Sequence, residues 1–181
     1  MKKVLGLFLV GALLAVFLIS GEAQGGKAQK LELRSSAFSE GERIPSDFTC
    51  EGADMSPPLA WSGVPDNAES LAIIVEDPDA PAKNWTHWLI YDLPATLSQL
   101  PTGIISGQEF FAGGSQGLND FKELGYGGPC PPGGEHRYLF KIYALDAMLQ
   151  LKAGASKQEL LQAMRGHILA EGSLTGQYDR S

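Results

Sequence analysis

The chain has 181 residues, with 14 basic and 21 acidic side chains and a formal net charge of −7. Phosphodiester backbones and anionic lipid surfaces repel such a protein, which argues against nucleic-acid partners and electrostatic adsorption to membranes, so any anion it binds must be caught by local groups. The length serves one domain with a proper core and is short for two.

Met1, Lys2 and Lys3 form a short basic start, Val4 to Ile19 is almost purely apolar, and Ser20-Gly21-Glu22-Ala23 supplies small residues at the −3 and −1 positions of a cleavage site. This pattern predicts a secretory signal peptide over 1–23, cut after Ala23, and hence a periplasmic or secreted protein. The apolar run is shorter than the ~20 residues that span a bilayer, and an uncleaved N-terminal anchor is the alternative. With no Cys beside the apolar run, a lipid-modified N-terminal Cys is excluded. Residues 24–30 read as a flexible lead-in to a domain over 31–181. Export puts the two cysteines, Cys50 and Cys130, in an oxidising compartment. Paired, they close a loop of about 80 residues, worth on the order of 4 to 5 kcal/mol in the chain-entropy account. Spacing alone leaves open the alternative of two separate buried thiols.

Leu31, Leu33 and Ala37-Phe38 predict a first strand, broken by Gly41 to Pro45. Asp47 to Pro58 is turn-rich and leads into the apolar Leu59-Ala60-Trp61, after which Val64 to Asn67 turns the chain again. Leu71 to Val75 is continuously apolar, the pattern of a strand buried on both faces. It ends in Glu76-Asp77-Pro78-Asp79-Ala80-Pro81, where two prolines stop the ladder and hold carboxylates at the strand's end. The next strand, Trp85 to Asp92, alternates to put His87, Leu89 and Tyr91 on one side and Thr86, Trp88 and Ile90 on the other.

From Leu97 to Tyr126 the chain is Gly-rich and without period, which predicts edge strands and a long surface excursion. Gly127 to Glu135 is too dense in Gly and Pro for a helix and reads as a shaped loop. The strand that follows places His136, Tyr138, Phe140 and Ile142 on one face and Arg137, Leu139, Lys141 and Tyr143 on the other. Ser156 with Glu159 makes a capping box, and Leu160, Leu161, Met164 and Ile168 give a helical apolar face. Ser173 to Tyr178 returns as a last strand. Short strands separated by turns, with one late helix, predict a mainly β fold, an antiparallel β-sandwich. No Gly-rich phosphate loop precedes a helix, which argues against a nucleotide-binding α/β fold.

The segments DPDAP at 77–81, THW at 86–88, GPCPPGGEHRY at 128–138 and YALD at 143–146, with weaker matches in SPPLAW at 56–61 and GHIL at 166–169, resemble the phosphatidylethanolamine-binding proteins, also called Raf kinase inhibitor proteins, and most of all their bacterial branch. The resemblance implies a β-sandwich with a small pocket for anions, including phosphate and the headgroup of phosphatidylethanolamine. Its pocket residues fall here on Asp77, Pro81, His87, Pro131, His136 and Tyr138, with Asp79 as the second acid of the motif. Cys130 inside the Pro-rich loop, and a shorter spacer to His136, depart from the animal members.

The chemistry fits that role. A turn such as Gly133-Gly134 can aim backbone N–H groups at an anion, His87, His136 and the Tyr138 hydroxyl add donors, and Asp77 can orient an imidazole or meet an ammonium. Plainer readings stand beside it: His87 as a hydrogen-bonded core residue, Asp79 paired with Arg137, Tyr138 as core, Trp85 and Trp88 as packing, and His167 as structural. Three functions follow. The first is an exported, non-catalytic binding protein for a small anionic or phosphorylated ligand, with no cofactor. The second is a regulator of an extracytoplasmic kinase or protease through protein contact. The third is a hydrolase built from Cys130, His136 and Asp77, for which no local catalytic signature exists. Two His and two Asp without metal-ligand spacing are a weak metal signal.

Overall fold

The computed structural model describes residues 29–82, 84–107 and 113–180. The signal peptide expected over 1–23 and the first part of the expected lead-in, residues 24–28, therefore lie outside the described residues. The strands are β1 (Gln29–Lys30), β2 (Glu32–Arg34), β3 (Leu59–Ser62), β4 (Ser70–Asp77), β5 (Trp85–Pro94), β6 (Gln99–Leu100), β7 (Ser115–Gln116), β8 (His136–Leu145) and β9 (Ile168–Tyr178), with one helix, α1 (Lys157–Met164), before the last. They form a six-stranded sheet in the order β1-β9-β8-β4-β5-β7 and a three-stranded sheet in the order β2-β3-β6. All pairings are antiparallel except that of β1 with β9.

β4 explains the layers. It is buried along its whole length between β5 and β8. Leu71, Ile73 and Val75 face the three-stranded sheet and join Trp61, Trp88, Phe140 and Ile142 in the main core. Ala72 and Ile74 face the other way, against Leu89, Tyr91, Leu160 and Met164. A strand covered on both faces needs apolar residues at every position, which is why Leu71 to Val75 shows no alternation. The result is a β-sandwich with α1 laid on the outer face of its larger sheet. Among the described residues no helix is long and apolar enough to cross a membrane.

α1 starts where its sequence says. The Ser156 hydroxyl accepts from the Glu159 backbone N–H and the Glu159 carboxylate accepts from that of Ser156. It ends sooner than expected. Gly166 adopts φ +85°, the left-handed conformation that stops a helix, and Ile168 already belongs to β9. Leu160 and Met164 alone make the buried stripe, and Leu161 is exposed. An ion triad fixes α1 to the sheet: Lys141 of β8 and Lys157 of α1 both donate to the Glu76 carboxylate. Burial alone would raise the Glu76 pKa, but hydrogen bonds from the two lysines outweigh it and hold it below the usual value.

Other expectations shift at their edges. Gln29 and Lys30, read as the end of the lead-in, pair with Ala170 and Glu171. Ala37 and Phe38 lie in no strand, although Phe38 is buried in the main core. β9 begins at Ile168, well before Ser173. Cys50 and Cys130 are bonded, their Cα atoms 5.5 Å apart.

Candidate functional site

Asp77 is the last residue of β4, and the turn after it is shaped around its carboxylate. Oδ1 accepts the backbone N–H groups of Asp79 at 2.8 Å and Ala80 at 3.0 Å. Pro78 and Pro81 remove two competing donors and stiffen the turn. Oδ2 accepts from Nδ1 of His136, the first residue of β8, at 2.7 Å. Two residues further along the turn and one further along β8, the Asp79 carboxylate accepts from the backbone N–H of Arg137 at 3.0 Å and from its guanidinium at 2.9 and 2.8 Å. The guanidinium holds the Asp79 carboxyl down at about 2. Two acids of one turn thus bind two successive residues of β8, so Asp79 and Arg137 stitch the turn to the sheet and do not line the cavity.

His87 arrives by a bulge. Val75 pairs with Trp88 and Glu76 with Thr86, so β5 carries one more residue than β4 between these pairs, and that residue is His87. Strict alternation would have put His87 beside Leu89 and Tyr91, facing α1. The extra residue turns it to the opposite face instead, where its ring meets that of Tyr138 edge-on with centroids 5.2 Å apart. His87 Nδ1 lies 2.6 Å from the Gly127 carbonyl, and the Gly127 N–H donates to the His87 carbonyl at 3.0 Å. Burial pushes the imidazole below its ordinary pKa of 6.5, against the opposing pull of the Gly127 carbonyl and Asp77.

Between these elements is a cavity of about 300 Å³. Asp77 and His87 supply its polar wall. Ala80, Pro81 and Ala82 come from the acid turn, Cys130, Pro131 and Pro132 from the second loop, and Trp85, Phe121 and Tyr138 add aromatic rings. Among the described residues no Lys or Arg lines it. Tyr138 is 1% exposed, yet its hydroxyl has no hydrogen-bond partner among the described residues. Burial raises the pKa of that phenol, so it is a neutral O–H at any ordinary pH. A buried polar atom left without a partner costs ~1–3 kcal/mol, and such atoms are rare unless something outside the protein satisfies them.

Of the residues singled out from sequence, Asp77, Pro81, His87, Pro131 and Tyr138 line the cavity. His136 stands behind Asp77 and orients it, 7% exposed. Gly133 lies on an exposed turn, with nothing within 4 Å of where a Cβ would stand. The backbone donors expected from Gly133-Gly134 are therefore not at the cavity. Phe121 was not legible in the sequence. It sits in the Gly-rich stretch without period and is placed by Asp120, whose carboxylate accepts the Thr86 N–H at 2.7 Å and whose own N–H donates to the Thr86 carbonyl at 3.0 Å. Phe121 meets the rings of His87 at 5.3 Å and Trp85 at 5.5 Å edge-on.

The second loop is held from behind. Gly128 N–H donates to Asp54 Oδ1 at 2.7 Å, and any side chain at 128 would collide with Asp54 and the Phe48 carbonyl. The Cys50–Cys130 bond closes the same contact. It also consumes the thiol on which the Cys130–His136–Asp77 hydrolase reading depended. No group of His, Cys, Asp and Glu among the described residues is arranged to hold a metal ion. A larger groove of about 1050 Å³ runs along β2 and β9, lined by Leu31, Phe38 and Lys141 among others, but it contains no His and no orphaned polar group.

A family model described as phosphatidylethanolamine-binding protein matches residues 34–179. A UPF0098 protein of Methanothermobacter thermautotrophicus is 50% identical over 150 residues, covering 83% of this chain and 99% of its own. The crystal structure of a putative phosphatidylethanolamine-binding protein homologue from Chlamydia trachomatis superposes with a TM-score of 0.77 at 43% identity, covering 85% of this chain and all of that one. The structure of Escherichia coli YbcL, described as a member of the mammalian family, gives 0.77 at 32% identity, over 84% and 99% of the two chains.

Proposed function

Because this chain belongs to the phosphatidylethanolamine-binding protein family, we propose that its cavity between β4, β5 and β8 binds a small phosphate-type anion or the phosphate of a phospholipid headgroup. The observation that carries this reading is the Tyr138 hydroxyl, buried beside His87 at the wall of the cavity with no acceptor for its proton among the described residues. A ligand oxygen there relieves the desolvation cost that the free protein bears. The surroundings are rigid: Asp77 is fixed by three hydrogen bonds, His87 by Gly127, and the Pro131 wall by the Cys50–Cys130 bond. Preorganisation of this kind lowers the entropy lost on binding. The protein acts by binding and not by catalysis, since the one thiol at the cavity is tied up and the His136–Asp77 pair is turned to structure.

Binding takes place outside the cytoplasm, after removal of residues 1–23. Lys2, Lys3 and the apolar run from Val4 to Ile19 support that location. N-terminal sequencing of the protein recovered from the extracytoplasmic fraction tests it, and a chain beginning at Gln24 is the expected result. Titration calorimetry of the purified protein with inorganic phosphate and with a phosphomonoester tests the pocket. Saturable 1:1 heats that disappear in Tyr138→Phe and His87→Ala support it; identical heats in the wild type and both variants refute it.

A further inference from the structure

The hydrogen-bonding groups of the cavity wall discriminate between protonation states of the ligand. The Gly127 carbonyl, 2.6 Å from His87 Nδ1, can only accept, so Nδ1 carries the ring proton. In the neutral imidazole Nε2 is then an acceptor, and the well-formed hydrogen bond that the described residues make to the ring is the one at Nδ1. Beside it the Tyr138 hydroxyl is a free donor. The wall thus presents one acceptor and one donor side by side. Asp77 adds a negative charge, with its oxygens already engaged by Asp79, Ala80 and His136.

A phosphate dianion offers acceptors only. It satisfies Tyr138 but sets lone pair against lone pair at His87 Nε2, and it brings two negative charges next to a carboxylate. A singly protonated phosphate offers an acidic O–H and acceptor oxygens together. Resting on the anion-binding reading above, we infer that the site takes its ligand as the acid form, a phosphomonoester monoanion whose P–OH donates to His87 Nε2 while a second oxygen accepts from Tyr138. Above the second pKa of the monoester, ~6, each binding event takes up one proton from solvent, and that proton stays on the ligand. The groups acting on His87 are Asp77 from β4, Asp54 from the turn region before β3, Tyr138 from β8, and the Gly127 and Gly128 carbonyls. Both carboxylates favour an imidazolium, and burial outweighs them and draws the imidazole below its ordinary value.

The test uses the disulfide-bonded protein labelled with ¹⁵N, in which only three histidines contribute imidazole signals. The probes are methyl phosphate and dimethyl phosphate at pH 5.5 and 7.5. At pH 5.5 they carry nearly the same charge and differ in the acidic O–H. In the methyl phosphate complex the His87 ring remains neutral with its proton on Nδ1, and dimethyl phosphate binds at least ~10-fold more weakly, the loss of about one good hydrogen bond. An imidazolium at His87 in the complex, or equal affinity for the two probes, overturns the inference and leaves the pocket standing. If neither probe binds at pH 5.5, the anion reading falls, and the inference with it.

Discussion

Replacing Tyr138 with phenylalanine removes one hydroxyl and keeps a ring that is 1% exposed in the main core. In the free protein that hydroxyl has given up water and has only the Cys130 backbone near it, with no acceptor for its proton among the described residues. The penalty for such an atom is ~1–3 kcal/mol, so its removal should leave stability unchanged or raise it by about 1 kcal/mol. For a chain of this size, that is an increase of roughly 2–4 °C in Tm. The ligand complex responds in the opposite sense. A hydrogen bond to a charged phosphate is worth ~1.5–3 kcal/mol, so affinity for methyl phosphate should fall by about 10- to 150-fold. Thermal unfolding without ligand and titration calorimetry with it measure the two effects on the same samples. A residue that serves only packing cannot produce gain in one and loss in the other. If Tyr138→Phe lowers stability by more than about 1 kcal/mol while affinity is unchanged, the hydroxyl has a structural partner and the reasoning fails.

Affinity for methyl phosphate should rise as pH falls from 8, tenfold per unit, and level off below ~6, because the complex holds one proton more than its free components; an affinity that is flat over this range contradicts it in a titration series. The double variant Cys50→Ser, Cys130→Ser opens a link spanning 80 residues and should lose on the order of 4 to 5 kcal/mol in urea unfolding. Because Cys130 and Pro131 wall the cavity, the same variant should bind phosphate more weakly at temperatures where it is folded, and unchanged affinity would show the bond to be remote from the site. Asp79 has its pKa depressed to about 2 by Arg137, so its contribution is complete above the unfolded value near 3.8 and disappears as pH falls through about 2. With Asp79 partly open to solvent, Asp79→Asn should cost on the order of 1 kcal/mol at pH 6 and much less at pH 2, as read from denaturant midpoints. Glu76→Gln leaves two lysines facing each other across a largely buried position and should cost about 3 kcal/mol, whereas a loss below 1 kcal/mol would mean the triad is no more than a surface pairing.

What the sequence conveys and what it hides divide along the range of the interactions. The burial of Leu71 to Val75, the alternation from His136 to Ile142 and the cap at Ser156 depend on neighbours within a few residues, and each is visible as a local pattern. The face of His87 is not local. It depends on β5 having one residue more than β4 opposite Val75 and Glu76, and a bulge leaves no mark on a string that alternates on both sides of it. Phe121 is hidden for a related reason: its position comes from Asp120 pairing with the backbone of Thr86, 34 residues away, in a stretch with no period of its own. Gly166 ends α1 in a left-handed conformation, but Ile168 falls at helical spacing beyond it, so pattern alone extends the apolar face past the true end. The acid turn shows both kinds of information. Its prolines announce a turn, whereas the division of labour between Asp77 at the cavity and Asp79 on Arg137 follows only from where β8 begins.

The most direct measurement is a crystal structure of the protein grown with methyl phosphate at pH 5.5. The account predicts density for the phosphate inside the cavity, one oxygen within hydrogen-bond distance of Tyr138 Oη and another within that distance of His87 Nε2, with Asp77 still joined to His136. A cavity holding only water at saturating ligand, or a phosphate bound elsewhere with the Tyr138 hydroxyl still alone, would contradict it.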